Sequence, residues 1–324
     1  MRSRTTFILL LISTIMTTIT LLQPRPLYAA PRDRAVWVFS DEVTNATDRL
    51  TLVQRSAASG VTDLYVSVYQ PTPNAAGRLM FDDAAMLDLI DLAHHNGIQV
   101  WTAYGAPDWP SLGCASTAFP LQRMAEVVAY NKDNPSDRFD GVVLDVEPAE
   151  PQSTADFQAL LGLYDCIREF LPNNVRVAVA IRFFWQSPDS LQVQFPAGTG
   201  ATKQVFQHVL DLDLDKVIVM GYRDFAGPVD CSLDGILCLD KDEIAYGDKL
   251  RKKPGRILVG VETSNCSPGC GAEKVTFFEE GQSTLDSETQ SVATFFAGSR
   301  SFGGFAIHRY KDSYLSGLPG WPTP

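Results

Sequence analysis

Basic residues are scarce in this sequence, and their scarcity limits what the protein can bind. The chain has 27 lysine and arginine residues against 38 aspartate and glutamate residues, so its net charge at pH 7 is −11. A protein that binds nucleic acid needs a basic surface to neutralise phosphate groups. The charge balance therefore argues against a nucleic-acid partner and is typical of a soluble exported protein.

Histidine is also scarce, which limits the metal sites that the chain can build. There are four histidines, and two of them, His94 and His95, fall on a predicted helix. A divalent-metal site remains an alternative, as in barrel phosphodiesterases or isomerases. Its ligands would be four side chains: Asp145, Glu147, Glu262 and His308. The favoured prediction is that the protein uses no metal and no other cofactor.

Three further features are absent, and each absence excludes a class of protein. No G-x-S-x-G motif is present, which argues against a serine hydrolase of the α/β type. No glycine-rich phosphate motif follows the first predicted strand, where residues 40–43 read Ser-Asp-Glu-Val instead. A doubly wound nucleotide-binding sheet is therefore only the second choice of fold. No internal repeat or low-complexity linker indicates a second domain.

The first thirty residues have the layout of a secretory signal peptide. Arg2 and Arg4 precede an uncharged run over residues 7–22, which is followed by a short segment ending in Ala30. The run is short and is diluted by serine and threonine, so a membrane span is less favoured, although an uncleaved anchor is an alternative. We predict a signal peptide over residues 1–30 and a single domain over residues 31–324. Cleavage would remove three arginines and no acid, giving a net charge of −11 − 3 = −14. The mature protein is expected to be secreted or periplasmic, with no stable membrane association.

Six cysteines follow residue 30, and this number fits an oxidising compartment. The spacing suggests disulfides Cys231–Cys238 and Cys266–Cys270, each within one loop. Cross-pairing between these two loops is the alternative, because spacing does not fix connectivity. Cys166 falls on the apolar side of a predicted helix and is expected to be a buried thiol.

Strands and helical stretches alternate along the rest of the chain. The eight predicted strands are Ala35–Phe39, Asp63–Tyr69, Ile98–Tyr104, Phe139–Pro148, Val175–Arg182, Lys216–Tyr222, Arg256–Glu262 and Phe302–His308. The eight predicted helices are Thr47–Ser59, Asp82–His95, Leu121–Asn131, Thr154–Phe170, Lys203–Leu210, Lys241–Lys252, Thr284–Phe296 and Tyr310–Ser316. This alternation favours parallel strands joined by helices. The number of units and the length predict a single (β/α)₈ barrel, or TIM barrel.

The fourth predicted strand carries two acids near its carboxyl end. Val142 and Val143 belong to an apolar run typical of a strand that is covered on both faces. Because side chains alternate along a strand, Val143, Asp145 and Glu147 share one face. Two carboxylates at the end of an apolar strand are unfavourable unless a site uses them, so we predict that both are catalytic.

The other predicted strands also end in polar or aromatic residues, and a barrel places its active site at these ends. Aromatic faces and charged groups of this kind are suited to stacking on sugar rings and binding hydroxyl groups. We therefore predict a carbohydrate partner and a monomeric protein. The predicted substrate-binding residues are Asp41, Tyr69, Tyr104, Trp109, Arg182, Trp185, Arg223, Asp224, His308 and Tyr310.

Two short motifs resemble those of family 18 glycoside hydrolases, the chitinases and endo-N-acetylglucosaminidases. Residues 140–147, Asp-Gly-Val-Val-Leu-Asp-Val-Glu, resemble the strand-four pattern D-G-x-D-x-D-x-E, and residues 219–222, Val-Met-Gly-Tyr, resemble the strand-six Met-x-Tyr. The resemblance implies a TIM-barrel glycosidase with Glu147 as the general acid. It also implies that Asp145 and Tyr222 hold the substrate's acetamido group, which acts as the internal nucleophile.

The sequence departs from this pattern at three positions. Val143 stands where the family has the middle aspartate, and His308 stands where it usually has tryptophan. Glu262, which ends the seventh strand, resembles the nucleophile of clan A retaining glycosidases, although Val146 replaces the asparagine that precedes their strand-four glutamate. Three alternatives therefore stay open: a retaining enzyme with Glu262 as nucleophile, a glycan-binding barrel without activity, and a salt bridge of Glu262. The candidate partners for that salt bridge are Arg182, Arg223 and Arg309.

Overall fold

The computed structural model describes residues 33–186, 192–265 and 274–310. Three of the predictions lie outside these residues: the signal peptide over residues 1–30, the Cys266–Cys270 disulfide, and the closing helix Tyr310–Ser316 beyond its first residue. In the described ranges, no helix is both long and apolar enough to cross a membrane.

Eight parallel strands close into a barrel, which confirms the predicted fold. In chain order the barrel strands are β1 (Asp33–Val38), β2 (Asp63–Ser67), β3 (Gln99–Tyr104), β4 (Gly141–Leu144), β5 (Arg176–Arg182), β8 (Lys216–Met220), β9 (Ile257–Glu262) and β10 (Phe302–His308). Hydrogen bonds join each strand to the next, and β10 pairs with β1 to close the ring. Parallel pairing places all eight carboxyl ends at one mouth of the barrel.

Helices cover the outside of the barrel. They are α1 (Ala46–Ala58), α2 (Asp83–His95), α3 (Trp109–Leu112), α4 (Phe119–Asp133), α5 (Thr154–Phe170), α6 (Val205–Asp211), α7 (Ile236–Leu250) and α8 (Gly281–Phe295). Their apolar faces pack on the strands and form the larger of two cores. The smaller core fills the barrel interior, where Trp37, Tyr65 and Trp101 face alanines on the neighbouring strands. Large and small side chains together fill the interior without a channel.

The structure corrects two of the predicted elements. A two-stranded antiparallel hairpin, β6 (Gln192–Phe195) and β7 (Ala201–Gln204), occupies part of the segment predicted to begin a helix at Lys203. The helix begins only at Val205, because the preceding residues pair with β6. β4 ends at Leu144, its last residue paired with β5, so Asp145 and Glu147 lie in the segment after the strand.

Two disulfides brace the described loops. Cys231–Cys238 forms as predicted, across a separation of seven residues. Cys114 and Cys166 are also joined, over 52 residues, and this linkage shows that the expected buried thiol at Cys166 was wrong. Cys166 is half-buried on α5, and the loop after α3 carries Cys114 next to it. The periodicity of the sequence assigned Cys166 to the apolar face of its helix. It could not show that the loop after α3 brings Cys114 next to that helix.

Candidate active site

Five ionisable side chains meet at the carboxyl mouth of the barrel. Asp145 and Glu147 follow β4, Tyr222 follows β8, Glu262 ends β9 and His308 ends β10. The charges of Asp145, Glu147 and Glu262 all act on the Tyr222 hydroxyl, so the four groups occupy one electrostatic site. The parallel barrel brings together residues that are up to 163 positions apart in sequence (308 − 145).

Asp145 is in an environment that disfavours its charged form. Its Oδ1 atom is buried and has no hydrogen-bond partner within the described part of the chain. Burial, and then the negative charge of Glu147, raises the pKa of Asp145 to about 6, against the opposing charges of His308 and Arg182. Asp145 therefore changes its charge near neutral pH, as functional carboxyls often do.

Glu147 is held by an arginine from the neighbouring strand. Arg182 at the end of β5 donates from Nε and from Nη2 to the same oxygen of Glu147, at 2.7 and 2.6 Å. Its third nitrogen, Nη1, pairs with Glu150 at 2.7 Å. The guanidinium thus links two acids through charge-assisted hydrogen bonds, two of them to one oxygen of Glu147.

Tyr222 presents a neutral hydroxyl beside three carboxyl groups. Burial first, and then the charges of Glu262, Asp145 and Glu147, raise its pKa well above the ordinary value. Gly260 on β9 makes room for the ring, because a Cβ there would lie 3.0 Å from the Tyr222 Cε1 atom. The tyrosine ring occupies the space that this glycine leaves beside β9.

Glu262 is saturated with hydrogen bonds. One oxygen accepts from the Thr263 and Ser264 amides at 2.8 and 2.7 Å and from the Ser264 hydroxyl at 2.5 Å. The other accepts from His308 Nδ1 at 2.7 Å. Burial by itself raises the pKa of Glu262, but the hydrogen bonds and charge of His308, with those of Ser264, outweigh it and lower the pKa. Both oxygens are engaged, which favours a supporting role over that of a nucleophile.

The three arginines proposed as salt-bridge partners of Glu262 contact other groups. Arg182 binds Glu147 and Glu150, Arg223 pairs with Asp234, and Arg309 stacks on the Phe39 ring at 4.7 Å. The partner of Glu262 is His308. The alternative of an arginine salt bridge is therefore wrong, because the ends of adjacent strands β9 and β10 bring the His308 imidazole next to Glu262.

An aromatic pocket adjoins this site. Three predicted residues, Tyr69, Tyr104 and Trp109, line a cavity of about 410 Å³ together with Phe119. Tyr69 is 44% exposed, and its ring meets Phe119 edge to face at 5.7 Å. Gly105, which also lines the pocket, packs so closely that a Cβ would lie 2.4 Å from the Asp145 carbonyl oxygen. The pocket therefore begins next to the acids.

The remaining predicted residues lie apart from the acids. Asp41 is exposed in a turn after β1, and Tyr310 is buried where its amide donates to the Trp37 carbonyl. Trp185 is buried against Phe157 of α5 in the outer core. None of these three side chains has a described contact with Asp145 or Glu147.

Asp224 follows Tyr222 in the loop after β8. Its amide donates to the Lys274 carbonyl, and burial raises the pKa of its carboxyl. The neighbouring Arg223 also donates to the Asp234 carbonyl at 2.9 Å. Both residues therefore brace a rim loop in this structure.

Three members of the site were missed from the sequence. Glu150 reaches Arg182 from a loop, Ser264 binds Glu262, and Gly105 packs against Asp145. Ser264 and Gly105 each come just after the end of a strand, and this position in the sequence could have identified them as site residues. Glu150 lies too far beyond the strand for periodicity to identify it. In the ranges that the structure covers, no three His, Cys, Asp or Glu side chains are arranged to hold a metal ion.

Comparison with solved structures identifies proteins with a similar fold. A chitinase from Bacteroides thetaiotaomicron superposes with a TM-score of 0.56 at 12% identity, over 87% of this chain and 90% of that protein. A GH18 chitinase from Cycas revoluta, solved in complex with (GlcNAc)3, gives 0.50 at 15% identity, over 85% and 94%. The chain spans 51% of the longer spore cortex-lytic enzyme SleL from Bacillus cereus, covering 72% of itself, at a TM-score of 0.47 and 11% identity.

No protein-family model matches the sequence, and no curated protein is similar enough to match it. At these low identities the structural matches are evidence for the fold alone. The chain folds as a closed eight-stranded (β/α)₈ barrel, and both chitinases are similar to it in fold.

Proposed function

We propose that the protein is an exported glycoside hydrolase of the family 18 type that cleaves oligosaccharides or polysaccharides bearing N-acetyl groups. The observation that carries the proposal is the convergence of Asp145, Glu147 and Tyr222 at the mouth of the barrel. These are the three residues to which the sequence motifs assign acid and acetamido-binding roles. The shared fold with chitinases supports the same conclusion.

In this proposal Glu147 protonates the oxygen of the leaving sugar. The carbonyl oxygen of the substrate's acetamido group attacks the anomeric carbon as the glycosidic bond breaks, so the protein itself needs no nucleophile. The Glu147 carboxylate then takes a proton from the water that opens the cyclic intermediate, which returns the acid to its starting form. Glu262 has no part in bond making, in keeping with its engaged oxygens.

Asp145 and Tyr222 orient the acetamido group in this scheme. The Asp145 carboxylate accepts the amide N–H, which stabilises the positive charge that develops on nitrogen during attack. Tyr222 remains a neutral phenol, since burial raises its pKa, and its O–H donates to the acetamido oxygen. In the described chain Asp145 Oδ1 has no hydrogen-bond partner, so it is available to the substrate.

Arg182 must release Glu147 before Glu147 can reach the leaving group. The guanidinium donates twice to one oxygen of the carboxylate and so occupies an oxygen that the substrate would need. Glu150 already accepts from Nη1 of the same arginine at 2.7 Å and is mostly exposed, so it offers the arginine an alternative partner. We infer that an incoming sugar displaces Arg182 towards Glu150.

The aromatic pocket is the proposed subsite for a neighbouring sugar. Its volume of about 410 Å³ is within the usual range for small-molecule sites. The exposed face of Tyr69 is available for stacking on the apolar face of a ring. The two disulfides, together with the signal peptide predicted from the sequence, support export.

The direct test is hydrolysis of labelled oligosaccharides, offered with and without N-acetyl groups. The proposal expects cleavage of the acetylated set only, and loss of that cleavage in Glu147→Gln. Cleavage of unacetylated substrates at an equal rate would contradict the acetamido-assisted scheme. Normal turnover by Glu147→Gln would exclude Glu147 as the acid.

The Arg182–Glu147 ion pair favours one alternative, a barrel that binds glycans without cleaving them. Such a protein would bind the same labelled oligosaccharides and leave them intact. Arg182→Gln separates the two functions. Removing the guanidinium frees Glu147, so an enzyme would still cleave the acetylated oligosaccharides and a binding protein would not.

A further inference from the structure

A second exposed aromatic ring lies close to the acids. Phe184 belongs to a short 3₁₀ turn, Phe183–Gln186, that follows β5, and 39% of the residue is exposed. Its neighbour Trp185, which the sequence indicated instead, is buried in the outer core. Exposure of a single apolar residue is ordinary, so the position of Phe184 decides what it can do.

One guanidinium joins the Phe184 ring to Glu147. The Arg182 Cζ atom lies over the ring, 5.6 Å from its centroid, which is within the range of a cation–π contact. The Nη2 atom of the same arginine is 2.6 Å from Glu147 Oε2. The ring is therefore one side chain away from the carboxyl group that would protonate the leaving sugar. A sugar next to the cleaved bond can reach it.

Phe184 is supported by packing that holds its ring in place. The Phe183 ring meets it edge to face at 5.5 Å, and Arg223 Cζ lies 5.3 Å from the centroid of Phe183. Arg223 in turn donates to the carbonyl oxygens of Tyr222 and Asp234, at 2.7 and 2.9 Å. A ring that is already fixed loses little conformational entropy when a ligand stacks on it.

The aromatic pocket lies on the other side of Glu147. Neighbouring strands of the barrel follow the order β2, β3, β4 and β5 around the ring. Tyr69 comes after β2 and Tyr104 ends β3, whereas Phe184 comes after β5. Glu147, which follows β4, therefore lies between two aromatic surfaces along the mouth. A sugar chain that crosses the mouth can stack on both, with the cleaved bond between them.

We propose that Phe184 binds a sugar on the opposite side of the cleaved bond from the aromatic pocket, so that the protein cuts glycan chains internally. The substrate class is then a chain that extends on both sides of the cut, in contrast to a chain that loses single sugars from its end. Phe184 contacts the substrate and takes no part in bond making. The inference rests on the proposed glycosidase function and defines its substrate further.

The position of the cut tests this proposal. An acetylated hexasaccharide labelled at one end should be cut by wild type at internal bonds. Phe184→Ala should move the main cut towards one end of the chain, and Tyr69→Ala should move it towards the other, because the chain slides onto the surface that remains. Phe295→Ala, which removes a ring of similar exposure at the end of α8, is the control and should give the wild-type products. Unchanged products in Phe184→Ala, or a shift to the same end in both variants, would overturn the proposal.

A binding measurement does not depend on activity. In the Glu147→Gln background, titration calorimetry with the same hexasaccharide should give a Kd about fivefold higher after Phe184→Ala, since stacking on one ring is lost. Phe184→Trp should restore the affinity, and Phe295→Ala should leave it unchanged. An equal Kd with Phe184 and with alanine would overturn the inference. A wild-type protein that cleaves no acetylated oligosaccharide would instead overturn the proposed function, and the same titration on wild type would still test the role of Phe184.

Discussion

At the amino ends of the barrel strands, Lys216 lies between two acids. Its Nζ atom is 2.9 Å from Asp63 and 3.0 Å from Asp33, and Trp101 Nε1 donates to Asp63 at 2.8 Å. At the carboxyl ends, Asp145 has a buried oxygen without a described partner and a pKa raised to about 6.

Both ends of the barrel thus bury carboxylates, but the buried Asp63 at the amino end has a lysine and an indole N–H as partners, whereas Asp145 Oδ1 at the carboxyl end has no partner among the described residues. A paired charge cluster holds strands together, whereas an unpaired one is costly and persists where a ligand can complete it. The difference distinguishes a structural cluster from a candidate active site, although the two have a similar composition of acids and aromatics.

The largest expected effect is at the carboxyl end. Glu147→Gln should lower kcat on an acetylated oligosaccharide by about a thousandfold, because amide cannot protonate the leaving group. Its thermal unfolding should stay close to that of wild type. Glu150→Gln, an exposed neighbour on the same arginine, is the matched comparison and should retain measurable turnover.

At the amino end the same kind of change should affect stability and leave catalysis alone. Lys216→Met leaves the buried Asp63 and the partly exposed Asp33 without their cation, and should cost about 3–5 kcal/mol in the free energy of unfolding. Urea denaturation measures this, and kcat of the folded fraction should be normal. Lys253→Met, which breaks an exposed pair with Asp215, should cost no more than about 1 kcal/mol. An equal loss of unfolding free energy in Lys216→Met and Lys253→Met would contradict the structural role assigned to the Lys216 cluster.

Two further buried acids lie on α7, and they extend the comparison between paired and unpaired carboxyl groups. Asp240 and Glu243 on α7 are fully buried, and their carboxyl oxygens have no hydrogen-bond partner in the described chain. Burial raises the pKa of Asp240 well above its ordinary value. Burial, followed by the charge of Asp240, does the same for Glu243.

These raised pKa values stabilise the fold at low pH only. The contribution is fully present below the unfolded values of about 4 and is lost as pH rises through the folded values. Asp240→Asn should therefore flatten the fall in unfolding free energy between pH 5 and pH 8, as measured in urea. Asp242→Asn, exposed on the same helix, should keep the wild-type slope. A steeper slope in Asp240→Asn would contradict the assignment.

The smallest effect is expected in the aromatic pocket. Tyr69→Ala should raise KM about fivefold with kcat unchanged, since stacking on a ring contributes about 1 kcal/mol to binding. Phe170→Ala removes an aromatic of similar exposure from α5 and should leave KM unchanged. The effect of Tyr69→Ala on KM should be compared between short and long oligosaccharides. A larger effect on the long ones would show that the pocket binds a second sugar.

The predicted elements and the observed ones agree wherever local pattern decides the outcome. The run from Val142 to Leu144 forms a buried strand, and Thr154–Phe170 forms a helix with the predicted bounds. The hairpin of β6 and β7 was missed, because its short strands are half polar and pair only with each other. Pairing of that kind depends on a turn, whose geometry the sequence pattern did not reveal.

The sequence by itself determined the barrel and the two acids after β4. Strand and helix periodicities follow from backbone geometry, which is local, and the apolar run of β4 brings Asp145 and Glu147 to the carboxyl end of that strand. Only the tertiary structure decided their partners. Arg182 is 35 residues from Glu147, and His308 is 46 residues from Glu262. Which of several rim residues meet depends on barrel closure and loop packing, and no spacing along the chain encodes that.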